Sequence, residues 1–397
     1  MSFSPSPGQE KALKDIVAWY AEWKKNKRKQ EFYLAGYAGT GKSTIAEHAL
    51  KKIGVENVRT GTYTGKAASV LRKKGVPGAQ TIHSLIYKPV EDKDGKLKFI
   101  KSPVSDAASA DLILLDECSM VDEQIAADLR SFRKPILIMG DPGQLPPIHG
   151  QGAFTNREPD AFLHEIHRQA ADSPIIHLAT LARQGKPLPL PYENGEVRVI
   201  RLSKQSAELI HRADTQVLCG LNKVRWKTTQ MIRARLQHAS AVDGGLLYEA
   251  PVKGERVICC KNNKELAIFN GLMGEIKKID HGEEDDAPML SFFEGENATD
   301  PWEMTVDMED MGDVKVTVDP YLFGHHFTGG MTKPCTKKRI FNEFDWAYVI
   351  TCHKAQGSQW EHVTVIDDAD SFRDNREKWR YTALTRAATG LTVLVRP

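Results

Sequence analysis

The sequence predicts an α/β protein with two parallel-sheet domains, a β-hairpin inserted in the first and a small β domain inserted in the second. Three observations predict this. Short apolar runs alternate with helical periodicity from about residue 10 to 180, the order expected of a parallel sheet covered on both faces. The same alternation returns at Gln216-Val-Leu-Cys and again from Trp346 to the C-terminus. Between these, roughly 250–340 is rich in Gly and in short β-like runs such as Arg256-Val-Ile-Cys and Gly274-Glu-Ile-Lys-Lys-Ile, which suit a small β domain.

Taken in order, a helix near 8–25 carries Leu13, Ile16, Val17 and Tyr20 at amphipathic spacing and ends in Lys24, Lys25, Lys27, Arg28 and Lys29, a solvated helix end. The apolar run Phe32 to Ala35 then leads into Gly36-Tyr37-Ala38-Gly39-Thr40-Gly41-Lys42-Ser43-Thr44. That is the phosphate-binding spacing G-x-x-x-x-G-K-[ST], set between a strand and a helix. Glycines are needed because the chain turns sharply and presents backbone N–H groups to phosphate oxygens. Lys42 is placed to reach the β and γ phosphates, and the Ser43 hydroxyl to ligate Mg²⁺. The following helix places Ile45, Ala49, Leu50 and Ile53 on one face and stops at Gly54, with its positive end toward the loop. A strand is predicted over Val58–Thr62 and a helix over Lys66–Lys74.

Tyr87 to Ile100 reads as two short strands around Asp94-Gly95, a projecting hairpin. Leu112-Ile-Leu-Leu115 is the continuous apolar run of a buried parallel strand and ends in Asp116-Glu117. In a doubly wound sheet such strand ends face one crevice. Asp116 there suits Mg²⁺, and Glu117 suits orienting or deprotonating an attacking water. Acid pairs after strands also serve as helix caps. A helix near Glu123–Ser131 and a strand over Pro135–Met139 follow, then Gly140-Asp-Pro-Gly-Gln144-Leu-Pro-Pro147, whose Gln144 can contact the γ phosphate or the water. Pro187 to Pro191 reads as a linker. Arg168 and Arg386 are guanidinium groups of the kind that spreads transition-state charge in phosphoryl transfer. Arginines at such positions also form surface ion pairs.

Composition fits a soluble intracellular enzyme of two to four compact units. The 397 residues hold no apolar run near membrane length and no signal-type start. Six cysteines show neither C-x-x-C spacing nor a dense framework and read as reduced thiols. The net charge of +2 hides an asymmetry: between Asp280 and Asp313 there are 13 acidic residues and no Lys or Arg, so the rest carries 54 basic against 39 acidic side chains. A basic body offers a footprint for a polyanion. A GTPase would carry Asn-Lys-x-Asp, and Asn222-Lys-Val-Arg225 lacks the acid.

Together with Thr351-Cys-His353-Lys354-Ala-Gln356-Gly357-Ser358 and Tyr381-Thr-Ala-Leu-Thr385-Arg386, the set resembles the superfamily 1B helicases, in particular the RecD-like and phage Dda-like branch. Gly36–Thr44 is similar to motif I, Thr64-Gly-Lys66-Ala-Ala68 to motif Ia, Asp116–Ser119 to motif II and Gly140–Pro147 to motif III. Arg168 sits where motif IV places an arginine finger; His353–Ser358 and Thr385-Arg386 are similar to motifs V and VI. The resemblance implies an ATP-driven, Mg²⁺-dependent motor that moves 5′ to 3′ on single-stranded DNA and unwinds forked duplexes; the alternative is a nucleic-acid-stimulated translocase that remodels protein–DNA complexes or acts on RNA without processive unwinding. It implies action as a monomer in the cytoplasm of a bacterial or phage-infected cell, beside replication or recombination proteins and without a membrane.

The resemblance also implies the layout. It assigns 1–185 to RecA-like domain 1A with a pin at about 86–104, 186–254 and 341–397 to RecA-like domain 2A, and 255–340 to an SH3-like domain 2B. Lys42, Asp116, Glu117, Gln144, Arg168 and Arg386 would be catalytic. ATP would be held by Gln9, which is similar to an adenine-reading glutamine, by Gly36, Ala38 to Thr44, Gln144, Arg168, Gly357 and Arg386. Ser43 and Asp116 would hold the metal. DNA would contact Thr62, Thr64, Lys66, His83, Phe99, His353, Lys354 and Ser358. Motif II reads Asp-Glu-Cys-Ser in place of the more usual Asp-Glu-Ala or Asp-Glu-Val, which keeps both carboxylates.

Overall fold

The computed structural model describes residues 4–73, 75–76, 78–91, 97–147, 152–165, 172–203, 210, 214–236, 251–263, 265–266, 268–280, 302–309, 311–318 and 342–396. The chain forms two compact units. One comprises Met1–Pro189, Gln356–Gln359 and Phe372–Thr389; the other comprises Leu190–Ala355, Trp360–Ser371 and Gly390–Pro397.

The first unit contains strands β1 (Glu31–Gly36), β2 (Val58–Thr62), β3 (Gln80–Thr81), β4 (Tyr87–Glu91), β5 (Leu97–Lys101), β6 (Leu112–Asp116), β7 (Ile136–Gly140) and β8 (Ala161–Leu163). Six of them make one sheet in the order β3-β2-β6-β7-β1-β8, with every recorded pairing parallel. Its central strands are apolar along their whole length because both faces are covered; Leu112 to Leu115 and Ile136 to Met139 are all buried. The covering helices are α1 (Pro7–Asn26), α2 (Lys42–Ile53), α3 (Gly65–Lys73), α4 (Ile82–Ile86), α5 (Asp106–Ser109), α6 (Glu123–Ser131) and α7 (Pro174–Arg183).

α1 starts where it does because Ser6 and Gln9 cap it reciprocally and Pro7 fits its first turn. It buries Leu13, Ile16, Trp19, Tyr20 and Trp23 against residues of β1, α2, β6 and β7. β4 and β5 pair antiparallel, with Pro89 opposite Phe99, so the hairpin expected at 87–100 is present; its Asp94-Gly95 turn lies outside the described residues. α4, a single turn capped by Thr81, has no counterpart in the sequence reading, and β8 has none either. Both are too short to carry a period.

The second unit contains β9 (Tyr192–Asn194), β10 (Val197–Arg201), β11 (Thr215–Cys219), β12 (Arg256–Cys259), β13 (Met273–Asp280), β14 (Trp302–Met308), β15 (Gly312–Val318), β16 (Phe344–Trp346), β17 (Val349–Thr351), β18 (Trp360–Asp367) and β19 (Ala387–Val395), and the helix α8 (Asn222–Arg235). Its second sheet runs β17-β11-β18-β19-β10-β9. The pairs β11–β17, β11–β18 and β10–β19 are parallel, and the edge pair β9–β10 is antiparallel. The helix α9 (Arg376–Leu384) follows β18 in sequence and belongs to the first unit.

β12 to β16 form a separate five-stranded antiparallel sheet in the order β15-β14-β13-β12-β16. Part of the acidic stretch is thereby explained. In β14 the side chains of Trp302, Met304, Val306 and Met308 are buried while Glu303 is exposed, so alternate residues of one strand face core and water. Burying each large apolar side chain is worth roughly 1.5–3 kcal/mol. Residues 281–301 of that stretch lie outside the described residues.

Two buried ion pairs tie α8 to the base of this sheet. Arg225 Nη1 donates to Asp345 Oδ2 at 2.8 Å, and Arg233 grips Glu255 at 2.6 and 3.1 Å. No helix among the described residues is long and apolar enough to cross a membrane.

Candidate functional site

The C-terminal ends of β1, β6 and β7 lie along one edge of the first sheet, since Ala35 is level with Gly140 and Leu115 with Ile138. β2 ends beside them, with Thr62 level with Asp116. Gly36, Asp116 and Gly140 therefore emerge at one crevice, as open α/β sheets place ligand sites.

The loop after β1 turns through Gly39 and Gly41, both left-handed at φ 77° and 81°, a region costly for residues with a β-carbon. Gly36 is needed for a different reason: a Cβ there would lie 2.6 Å from Thr40 Oγ1 and 3.1 Å from Leu163 Cβ. Gly41 caps α2, which starts at Lys42, so the first N–H groups of α2 and the preceding turn lie together. The Lys42 ammonium donates back to the carbonyls of Gly36 and Tyr37 at 2.8 and 3.0 Å. Thr40 is fully buried and donates to Tyr37 O. Ser43 and Thr44 are exposed at the helix start, and Ala38 presents its N–H to the hydroxyl of Tyr381.

Gln9 braces this loop. Its Nε2 donates to Thr40 O at 3.0 Å while its Oε1 accepts from Ser6 N. One amide therefore serves both the α1 cap and the loop.

Asp116 Oδ1 accepts from the N–H of Glu117 at 2.9 Å. Glu117 holds φ 53° and ψ 47°, a left-handed conformation uncommon for a glutamate and typical of strained functional positions. Beyond β7, Asp141 is buried, and burial pushes its carboxyl upward from the usual range. The Lys42 ammonium and the hydroxyl of Tyr381 pull it down, and Glu117 pushes it up. Those interactions set Lys42, Glu117 and Asp141 within one electrostatic neighbourhood.

Gln144 is only 6% exposed, and its Oε1 has no hydrogen-bond partner among the described residues. A buried orphan acceptor beside a phosphate-type loop is what an absent polar ligand would satisfy. The glycine turns, the Lys42 ammonium donating to loop carbonyls, and this oxygen together fit a nucleoside triphosphate. The Ser43 hydroxyl and the Asp116 carboxylate are the hard oxygen donors that Mg²⁺ takes.

Arg386 is 6% exposed and donates to Thr382 O, Ser358 O and Thr385 Oγ1 at 3.1, 3.2 and 3.3 Å. Arg168 lies outside the described residues. Gly357, left-handed at φ 75°, packs so closely on α3 that a Cβ would stand 2.9 Å from both Ala67 Cβ and Thr64 Oγ1.

The expected nucleic-acid residues are dispersed in their surroundings. The Thr62 hydroxyl donates to Thr64 O, and Thr64 Oγ1 caps α3 through Ala67 N. Lys66 is half-buried one turn along. His83 is exposed, with its ring 5.6 Å from that of Tyr87. Phe99 has its backbone paired in β5, and its side chain lies outside the description. In the second unit, burial holds His353 below the usual imidazole range, and Lys354 Nζ lies 3.1 Å from Cys260 Sγ. Ser358 is buried and offers its carbonyl to Arg386.

The sequence reading assigned no role to Tyr381 or Asp141. Tyr381 donates to Asp141 Oδ2 at 2.6 Å and accepts from Ala38 N at 2.7 Å. A tyrosine one helical turn before Thr385-Arg386 was the available signal.

Comparison with known proteins agrees with this geometry. Residues 6–201 match the AAA domain family and 346–394 the UvrD-like helicase C-terminal domain family. The chain is 28% identical over 375 residues to the ATP-dependent RecD2 DNA helicase of Deinococcus radiodurans, covering 89% of this chain and 45% of that protein. It is 23% identical over 427 residues to the ATP-dependent DNA helicase Pif1 of Campylobacter jejuni, covering 91% and 88%. A crystal structure of Bacteroides Pif1 bound to ssDNA shares the fold at a TM-score of 0.54 and 16% identity, over 99% of this chain and 92% of that one. The chain thus spans under half the length of the RecD2 relative.

Proposed function

The chain belongs to the superfamily 1B helicases, and from that premise we propose that it hydrolyses ATP to move along single-stranded DNA and separate duplexes at a fork. The observation that carries this reading is the shared crevice: Lys42 on a left-handed glycine loop, Glu117 in strained backbone, and the buried orphan oxygen of Gln144 at one sheet edge.

In this reading the loop N–H groups and Lys42 hold the phosphates, trading the carbonyls of Gly36 and Tyr37 for phosphate oxygens. Glu117 orients the attacking water and takes its proton, and Gln144 Oε1 accepts from that water. Arg386 spreads the developing charge once it leaves the carbonyls of Thr382 and Ser358; Arg168 is assigned a second guanidinium role. Ser43 and Asp116 would hold Mg²⁺, which supplies charge neutralisation at the β and γ phosphates.

The glutamine at position 9 is read as the adenine contact, with its Thr40 tether reporting base occupancy to the loop. Thr62, Thr64, Lys66, His83, His353, Lys354 and Ser358 are read as the strand track, and Phe99 on the hairpin as the splitting residue. Polarity is assigned as 5′ to 3′, and the sheet β12–β16 as the SH3-like insert 2B. The division into 1–185, 186–254 with 341–397, and 255–340 is assigned from the order of the motifs, and a single chain is taken as the working unit.

The test is ATP turnover measured with and without ssDNA or RNA. Stimulation by ssDNA supports the reading. No turnover in any condition, or stimulation by RNA alone, overturns it.

A further inference from the structure

The loops that enter β1 and β7 carry a cluster of cations at the edge of the first sheet opposite the crevice. Lys24, Lys25, Lys27, Arg28 and Lys29 lead into β1, Arg133 and Lys134 lead into β7, and all but the half-buried Lys134 are exposed. The two loops are adjacent: Glu31 is level with Ile136, and Gln30 Nε2 donates to the carbonyls of Arg130 and Lys134 at 2.9 and 3.0 Å. They are also fixed. Trp19 Nε1 donates to Lys29 O at 2.8 Å, the Lys29 ammonium pairs with Asp160 at 2.6 Å, and the Lys27 ammonium lies 3.5 Å above the Trp23 ring. Glu31 is taken by Arg130 and Arg157. Among the described residues no carboxylate pairs with Lys24, Lys25, Arg28, Arg133 or Lys134.

Cations in a last turn complement the helix dipole, which accounts for Lys24 and Lys25 in α1. Arg28, Arg133 and Lys134 lie past the helix ends. Lys27 and Arg133 hold left-handed backbone at φ 58° and 53°, where a helix commonly ends on glycine and any side chain carries a strain cost. Both positions keep a cation instead.

We propose that this cluster is a second nucleic-acid site, which holds the phosphate backbone of double-stranded DNA. The length of β1 sets it about 17 Å from the crevice, on the far edge from Thr62, which ends β2 level with Asp116. A strand on the proposed track at Thr62, Thr64 and Lys66 and a duplex on the cluster are therefore different segments of one substrate. Duplex is favoured over single strand because the cluster offers cations without rings: Trp19 and Trp23 are buried, whereas single-strand surfaces stack bases on aromatic side chains. Fixed loops lose little freedom on binding, and phosphate contacts require no particular base sequence. The identity of the polyanion rests on the reading of the chain as a DNA motor.

The test compares the full chain with a variant carrying Lys24→Gln, Lys25→Gln, Arg28→Gln and Arg133→Gln, by fluorescence anisotropy at several KCl concentrations. The probes are a blunt duplex of about 30 base pairs and a single strand of about 12 nucleotides. Each lost phosphate contact removes about 0.9 from the slope of log affinity against log salt, so the slope on duplex should shallow by about 2 to 4 and duplex affinity at low salt should fall at least about tenfold. Affinity for the single strand, and the ATP turnover it stimulates, should stay within about twofold, which also shows that the variant is folded. An unchanged duplex affinity or slope overturns the proposal, and so does an equal loss on both probes. If the single strand binds and stimulates turnover while the wild type ignores duplex, the cluster is wrong and the motor reading stands. If neither DNA binds, both fall. Preference of the cluster for polyglutamate over duplex would mark a protein-docking surface and overturn the DNA assignment.

Discussion

Arg233→Met is the perturbation whose cost the structure defines most closely. Arg233 and Glu255 are both 0% exposed, and the pair is bidentate, with Nε to Oε1 at 2.6 Å and Nη2 to Oε2 at 3.1 Å. Glu255 also accepts from Trp346 Nε1 at 3.1 Å and from Val252 N at 2.9 Å, and the guanidinium lies 4.3 Å from the Trp346 ring centroid. Methionine keeps the volume and much of the packing but withdraws the counter-charge. The glutamate then retains two donors and no cation, and losing one partner of such a buried pair costs about 3–5 kcal/mol.

Urea unfolding followed by tryptophan fluorescence reads this out, with the transition of the second unit analysed separately because a chain of two units need not unfold in one step. The midpoint of that transition should fall by on the order of 1 M or more. Arg233→Met with Glu255→Leu should recover a large part of the loss, since neither charge is then stranded, with a coupling on the order of 2 kcal/mol. A single-variant cost under about 1 kcal/mol, or a double variant less stable than the single, would refute the claim that this pair anchors the β12–β16 sheet to α8.

The remaining predictions concern the proposed motor. Lys42→Ala should abolish ATP turnover while ssDNA binding persists, because the ammonium donates to the carbonyls of its own loop; a turnover assay beside a fluorescence-anisotropy titration checks it, and retained turnover would remove the assigned phosphate role. Phe99→Ala, opposite Pro89 in the hairpin, should lower duplex unwinding more than ssDNA-stimulated ATPase, as read by paired assays on one preparation. Equal losses in both would show that the residue does not split the fork.

The parallel sheets were legible because buried strands are written as unbroken apolar runs: Leu112 to Leu115 and Ile136 to Met139 are that signal, and they sit in the first sheet as neighbouring strands. The loop from Gly36 to Thr44 was legible because backbone geometry demands glycine at Gly39 and Gly41. The β14 strand was missed although Trp302-Glu-Met-Thr-Val-Asp-Met alternates cleanly. Its acids stood out as a charge run, and they are the outward face of a strand. The link through Tyr381 was not legible at all, because its partners Ala38 and Asp141 are 343 and 240 residues away in sequence and only the fold brings them together. Gln9 shows the opposite case: a residue assigned a ligand by its motif is also a helix cap and a loop brace.

The most direct test of a motor driven from the crevice at Lys42, Glu117 and Gln144 is strand separation on 5′-tailed and 3′-tailed duplexes with ATP and Mg²⁺. The account predicts displacement of the 5′-tailed substrate and little of the 3′-tailed one, with none when ATP is replaced by a non-hydrolysable analogue. Equal displacement of both substrates, or displacement that persists with the analogue, would contradict it.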